Sequence, residues 1–241
     1  MSERKNALVP TVVAAVAAIA VLAIVILPSF GNDNSESDSV ASGGSDTAVE
    51  GQAPDETWGK LVRREPDDPM AMGQADAPVV MVNYSEFQCP FCGKFARDTA
   101  PTLIEEYVED GTLRIEWRDF PYLGPESITA AHAGRAAAAQ GKFWEFHDAM
   151  YADQLPPNSG QLDEDHLAGI AEDLGLDVEE FLTDMNSSAT QSAVQDDFAE
   201  GQAIGVTGTP AFIINGIPVI GAQPIQVFQD TIEKASEEAA Q

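Results

Sequence analysis

From Leu8 to Leu27 the chain carries no charge, and from Val12 onward nothing polar interrupts it. As a helix those residues would span about 30 Å, the thickness of a hydrocarbon core. The pattern then reverses. Residues 31–56 are Ser, Gly, Asp, Asn and Glu with few large apolar side chains, too little to bury a core, and the stretch is expected to be a flexible tether. The run APVVMVNYSEF is rich in β-formers and reads as a buried strand ending near Phe87. FCGKFARDTAPTLIEEYVEDG reads as a helix stopped by Gly111 and kinked by Pro101. LRIEWRDF reads as a second strand with Leu113, Ile115 and Trp117 on one face.

Between about Glu126 and Ile204 the apolar spacing is helical, with Phe143, Phe146, His147 and Met150 on one side of one segment. Strand character returns in PAFIING and IPVIG, joined by Asn215-Gly216, a strong hairpin signal. An amphipathic helix closes the chain. The order is strand, helix, strand, several helices, hairpin and helix, in the α/β class.

Charge narrows the function. A formal charge of −28 over 241 residues repels nucleic acid phosphates and anionic lipid surfaces, which argues against both as ligands. Its simplest reading is a solubilising surface. Arg4 and Lys5 precede the apolar segment, while Asp33, Glu36 and Asp38 follow it. The positive-inside rule then leaves residues 1–7 in the cytoplasm, makes 8–28 a single-pass anchor and puts the rest outside. A cleaved signal peptide is the alternative, but its apolar region would be shorter and a small-x-small site would follow closely. Either reading places the domain where a disulfide persists.

The chain has two cysteines, Cys89 and Cys92. So short a loop adds little stability when closed, so the pair is better explained by chemistry. It falls where a strand ends and a helix begins. There the free N–H groups and the helix dipole favour a thiolate at Cys89, while Cys92, one turn further in, is shielded. Cys89 would meet the substrate and Cys92 would resolve the bond. Pro90 suits the first helical turn. Half of a zinc site is the competing reading, but there are no other cysteines, and His132, His147 and His166 show no ligand spacing. No metal or cofactor is expected.

YSEFQCPFCGKF, the helical middle and GVTGTPAFIING together resemble the DsbA-like branch of the thioredoxin superfamily, in its membrane-tethered Gram-positive and actinobacterial form. The resemblance covers roughly residues 58–241. It implies a thioredoxin-like domain over 58–122 and 200–241, interrupted by a helical insertion over 123–199, with the tether at 29–57. Cys89, Pro90, Phe91 and Cys92 match the redox motif. Thr209 and Pro210 match the cis-proline loop that lies beside it; from the residues alone an ordinary trans turn is the expectation. Many relatives carry a buried acid six residues before the first cysteine, where this chain has Asn83, which takes no proton. Glu86 is then either a substitute proton shuttle or an exposed strand-end carboxylate.

The resemblance implies a monomeric dithiol oxidase acting on unfolded exported proteins, reoxidised by a quinone-linked membrane enzyme of DsbB or VKOR type. A reductase or isomerase, and a chaperone-like domain with an inert disulfide, are the alternatives.

Overall fold

The computed structural model describes residues 54–241, with side chains from Trp58 onward. The anchor at 8–28 and most of the tether at 29–57 lie outside the described residues. Among the described residues no helix is long and apolar enough to cross a membrane.

A five-stranded mixed sheet has the order β1-β3-β2-β4-β5. β2 (Val79–Ser85) and β3 (Leu113–Asp119) run parallel at its centre. β1 (Ala71–Met72), β4 (Ala211–Ile214) and β5 (Ile217–Ile220) are antiparallel to their neighbours. All seven residues of β2 are buried, which is why its apolar run is continuous. The β4–β5 turn places Asn215 at φ 42° and Gly216 at φ 85°, as a tight hairpin of primed type requires.

Helix α1 (Pro54–Leu61) begins four residues inside the stretch assigned to the tether, with proline at a position that needs no N–H. The expected single helix after the cysteines is divided. α2 (Pro90–Asp98) ends before Thr99, α3 (Ala100–Leu103) follows, and a π-helical turn spans Ile104–Val108. Pro101 has no N–H for the carbonyl of Arg97, so the break falls there rather than appearing as a kink in a continuous helix.

Five helices separate β3 from β4: α4 (Pro125–Ala139), α5 (Phe143–Ala152), α6 (Glu164–Asp173), α7 (Val178–Met185) and α8 (Ser188–Ala203). Asp163, Asp177 and Ser187 cap the last three, each side chain accepting the N–H three residues on. α4 is the hub, and its alanines let neighbours approach closely. α9 (Ile225–Ala239) packs Phe228 and Ile232 under the sheet with Phe95 and Phe212. Gly201 of α8 lies so near the sheet that a Cβ there would come within 2.8 Å of Phe120.

The expectation for β3 captured one face only. Leu113, Ile115 and Trp117 are buried as read, but Arg114, Glu116 and Arg118 on the opposite face are buried too. Glu116 accepts from Arg114 Nε at 3.0 Å and Arg118 Nη2 at 2.9 Å, and from the backbone N–H groups of Arg63 at 3.0 Å and Arg64 at 2.8 Å. Next to it Asp197 of α8 takes Arg63 at 2.5 Å and also Arg135 of α4, which holds Asp119 at 2.6 Å. Arg118 also meets Glu200 of α8 at 3.3 Å. This network fastens α4 and α8 to β3, inside the sheet.

Burial pushes the Glu116 carboxyl up, but its four donors outweigh that and hold it at about 2, below its ordinary 4.5. A depressed folded pKa gives stability that is present above about pH 4.5 and is lost as pH falls towards 2. Urea unfolding across that window is expected to show the loss. Glu116→Gln should flatten the profile and cost about 3–5 kcal/mol at neutral pH, because it removes the carboxylate that two buried guanidiniums share. An unchanged acid profile in the variant would remove Glu116 from this role.

Candidate active site

β2 ends at Ser85, the turn Glu86–Gln88 follows, and Cys89 is the N-cap of α2, with φ −71° and ψ 118°. The parallel β2–β3 pair sets the direction of the strand and α2 packs back on it, so the helix start lies at the strand's carboxyl end. Pro90 occupies the first turn, where a missing N–H costs nothing. Phe91 projects outward, 63% exposed, and Tyr122 is 43% exposed. Together they give the site an apolar rim.

Both cysteines are free thiols and both are nearly covered, Cys89 at 2% exposure and Cys92 at 1%. Cys92 is shielded as expected, and Cys89 is covered as well. The loop carrying Thr209 and Pro210 closes over Cys89, whose Sγ–H donates to the Thr209 carbonyl at 3.2 Å. The Thr209–Pro210 peptide bond is cis. The structure thus brings Cys89, Cys92, Thr209 and Pro210 together from two ends of the domain.

The two sulfurs differ electrically instead. The Cys92 thiol donates to the Cys89 sulfur, the largest influence lowering the Cys89 pKa. Burial opposes this, while the N–H groups of Cys92 and Phe91 add to the lowering. The balance moves Cys89 from its ordinary 9.0 down to about 6. Burial drives Cys92 the other way, well above its ordinary value, and the neighbouring Cys89 reinforces the rise. One sulfur is built to be an anion and the other to hold its proton.

Glu86 is buried at 1% exposure, so the exposed strand-end reading does not hold. The turn tucks its side chain under α4, where Ser127 Oγ donates to its carboxylate and the Gln88 N–H reaches it at 3.4 Å. Burial raises this carboxyl to about 7 against those two donors. Asn83 is buried at 4% exposure with Oδ1 unpaired, facing a cavity of about 540 Å³ lined also by Phe95, Trp144, His147 and Tyr151. Among the described residues no group of three or more His, Cys, Asp or Glu side chains is placed to hold a metal ion.

Several residues of the site left no signal in the sequence. Gln154, in the loop after α5, donates to the carbonyls of Phe87 at 2.8 Å and Cys89 at 3.0 Å. Gly93 gives it passage, since a Cβ there would fall 2.3 Å from Gln154 Oε1. Tyr151 donates to the Glu86 carbonyl at 2.9 Å, and Gln88 Nε2 to Ser127 Oγ at 2.8 Å. Each partner is separated from the turn by dozens of residues, beyond the reach of any local pattern.

The thioredoxin family model matches residues 65–234. A probable disulfide bond formation protein D of Bacillus cereus is 33% identical over 150 residues, covering 61% of this chain and 69% of that protein. The chain belongs to the thioredoxin superfamily, in its DsbA-like branch. It is a thiol–disulfide oxidoreductase by that membership, and its α/β fold agrees. The crystal structure of Wolbachia pipientis alpha-DsbA1 superposes with a TM-score of 0.68 at 23% identity, covering 76% of this chain and 98% of that one. A Na(+)/H(+) antiporter NhaA 1 of Salinispora arenicola also matches, 33% identical over 178 residues; they make up 73% of this chain and 26% of the antiporter.

Alkylation of the reduced protein tests the electrical asymmetry of this DsbA-like pair. The rate of iodoacetamide labelling should rise through a half-point near pH 6, all of it at Cys89, with Cys92 unlabelled until the protein is denatured. Equal labelling of both thiols, or a half-point near 9, would contradict the assignment.

Proposed function

We propose that this protein is a dithiol oxidase that introduces disulfides into exported proteins. The observation that carries the reading is the Cys89 sulfur held as an anion beside a Cys92 thiol that keeps its proton. A pair whose reduced form is stabilised in this way is a strong electron acceptor. The name of the Bacillus cereus relative, a disulfide bond formation protein, points the same way.

A client thiolate attacks the Cys89 sulfur of the oxidised protein. The Cys89–Cys92 bond breaks and a client–Cys89 disulfide forms. The electron pair leaves with the Cys92 sulfur, which takes a proton. The client's second thiolate then attacks the client sulfur of this mixed disulfide, closing the client's own bond and releasing Cys89 as a thiolate. Client thiols are oxidised and the protein is reduced by two electrons. Phe91 and Tyr122, exposed at the rim, offer the client an apolar edge.

The uncharged segment at 8–28, with bases before it and acids after it, supports a single-pass anchor with the domain outside the cytoplasm. Reoxidation then falls to a quinone-linked membrane enzyme of DsbB or VKOR type, which the anchor would keep close. A monomer suffices for this chemistry.

Reduced, unfolded ribonuclease is a suitable client. Wild type should regenerate its disulfides, and the protein lacking both cysteines should not. Offered ribonuclease that carries scrambled disulfides, Cys92→Ala should accumulate reductant-sensitive adducts, because its Cys89 thiolate displaces one client sulfur as a thiolate and nothing internal resolves the mixed disulfide, while Cys89→Ala should give none. Adducts on Cys89→Ala alone would reverse the roles. Equal client oxidation with and without the pair would favour an inert binding domain, and faster reduction than formation of client disulfides would favour a reductase.

A further inference from the structure

Glu86 is a carboxyl enclosed without a cation. Among the described residues it forms no ion pair, its Oε1 is buried with no hydrogen-bond partner, and its Oε2 has only the Ser127 hydroxyl and the Gln88 N–H. The titratable groups that act on it or feel it are Cys89 of its own turn, Tyr122 from the segment before α4 and Tyr151 from α5. Both tyrosines keep their protons, their pKa values being raised first by burial. Cys89 is thus the one neighbour whose charge changes in a redox cycle. Cys92 is surrounded by Cys89, Ser85 and Thr209, and Glu86 is not among the groups that act on it.

We propose that Glu86 is a redox-linked proton site: its carboxyl gains part of a proton when Cys89 becomes a thiolate and releases it when the Cys89–Cys92 disulfide re-forms. This rests on the reading of the pair as a working redox couple. The role differs from a shuttle to the resolving thiol, since the partner is Cys89 and the link is electrostatic.

The balance is complete. Two client thiols give up two electrons and two protons on forming their disulfide. Both electrons enter the Cys89–Cys92 bond. One proton goes to Cys92, Cys89 remains an anion, and the second proton is divided between Glu86 and solvent. In the disulfide form the nearby negative charge is gone and the carboxyl holds its proton less firmly. Burial is the largest influence raising Glu86, and with Cys89 contributing the carboxyl reaches about 7, so the exchange falls near physiological pH. The Cys89 N–H donates to the Glu86 carbonyl at 3.3 Å within one covered turn, and two anions held there repel, so protonating one favours the other.

The experiment uses the full-length protein in detergent. Thiolate absorbance of the reduced form is titrated in wild type and in Glu86→Gln, which keeps the shape and removes the charge. The proton count per two electrons is taken from the pH dependence of the midpoint potential. From pH 7 to 8, where Cys89 is already a thiolate, wild type should take up between one and two protons, and Glu86→Gln should take up one. The Cys89 titration should move to lower pH in the variant. An independent reading on wild type is the reduced-minus-oxidised infrared difference spectrum, which should show a protonated carboxyl gained on reduction.

An unchanged Cys89 titration and an equal proton count in the two proteins would overturn the proposal. If the variant does not fold, the absence of a carboxyl signal in the wild-type spectrum would overturn it. If no reversible couple forms at Cys89 and Cys92, the reading of the pair falls, and this proposal with it. A couple that forms without the Glu86 effects leaves the pair standing and removes the proposal alone.

Discussion

A sulfur anion at Cys89 is favoured by donors that folding fixes in place: the Cys92 thiol and the N–H groups of Phe91 and Cys92 at the start of α2. None of them has to be reorganised when the charge appears, which is what makes such a site effective. Everything near it serves to keep those donors aimed. β2 sets the height of Cys89. Gln154 clamps the carbonyls on either side of Gln88. The cis-proline loop arrives from the far end of the chain to cover the sulfur. Glu86, in the same turn, is enclosed in surroundings that favour its neutral form.

The helical insertion supplies the clamp, so its attachment to the sheet matters to the chemistry. That attachment is partly ionic. Arg63, Arg114, Arg118 and Arg135 meet Glu116, Asp119, Asp197 and Glu200 across α4, α8 and β3. The chain has only 12 lysines and arginines against 40 acidic residues, and four of those cations are committed here. The rest of the surface is left more acidic than composition alone suggests. Such a surface keeps the domain soluble and adds long-range repulsion that salt screens.

The sequence was legible where the cause is local. The cysteine spacing, the strand-to-helix junction, the Asn215-Gly216 turn and the order of elements all come from patterns within a few residues, and the structure has each of them. Where the cause is distant, the pattern misled. Arg114, Glu116 and Arg118 look like a solvent face because their partners lie in α8 and before β1. Glu86 looks like a strand-end acid because Ser127, which covers it, is 41 residues away. The covering of Cys89 depends on a loop 120 residues on. Asn83 announced a missing acid, yet only the folded chain shows a carboxyl on the other sulfur's side.

The central claim is that folding stabilises the Cys89 thiolate and so stabilises the reduced protein. The most direct measurement is the unfolding free energy of the reduced and the disulfide forms from pH 5 to pH 9. A thiol depressed from 9.0 to about 6 adds stability to the reduced form that begins as pH rises through 6 and is complete above 9. The account predicts that the difference between the two forms shifts towards the reduced protein across that window. A difference that stays flat until pH exceeds the range of an ordinary thiol would contradict it.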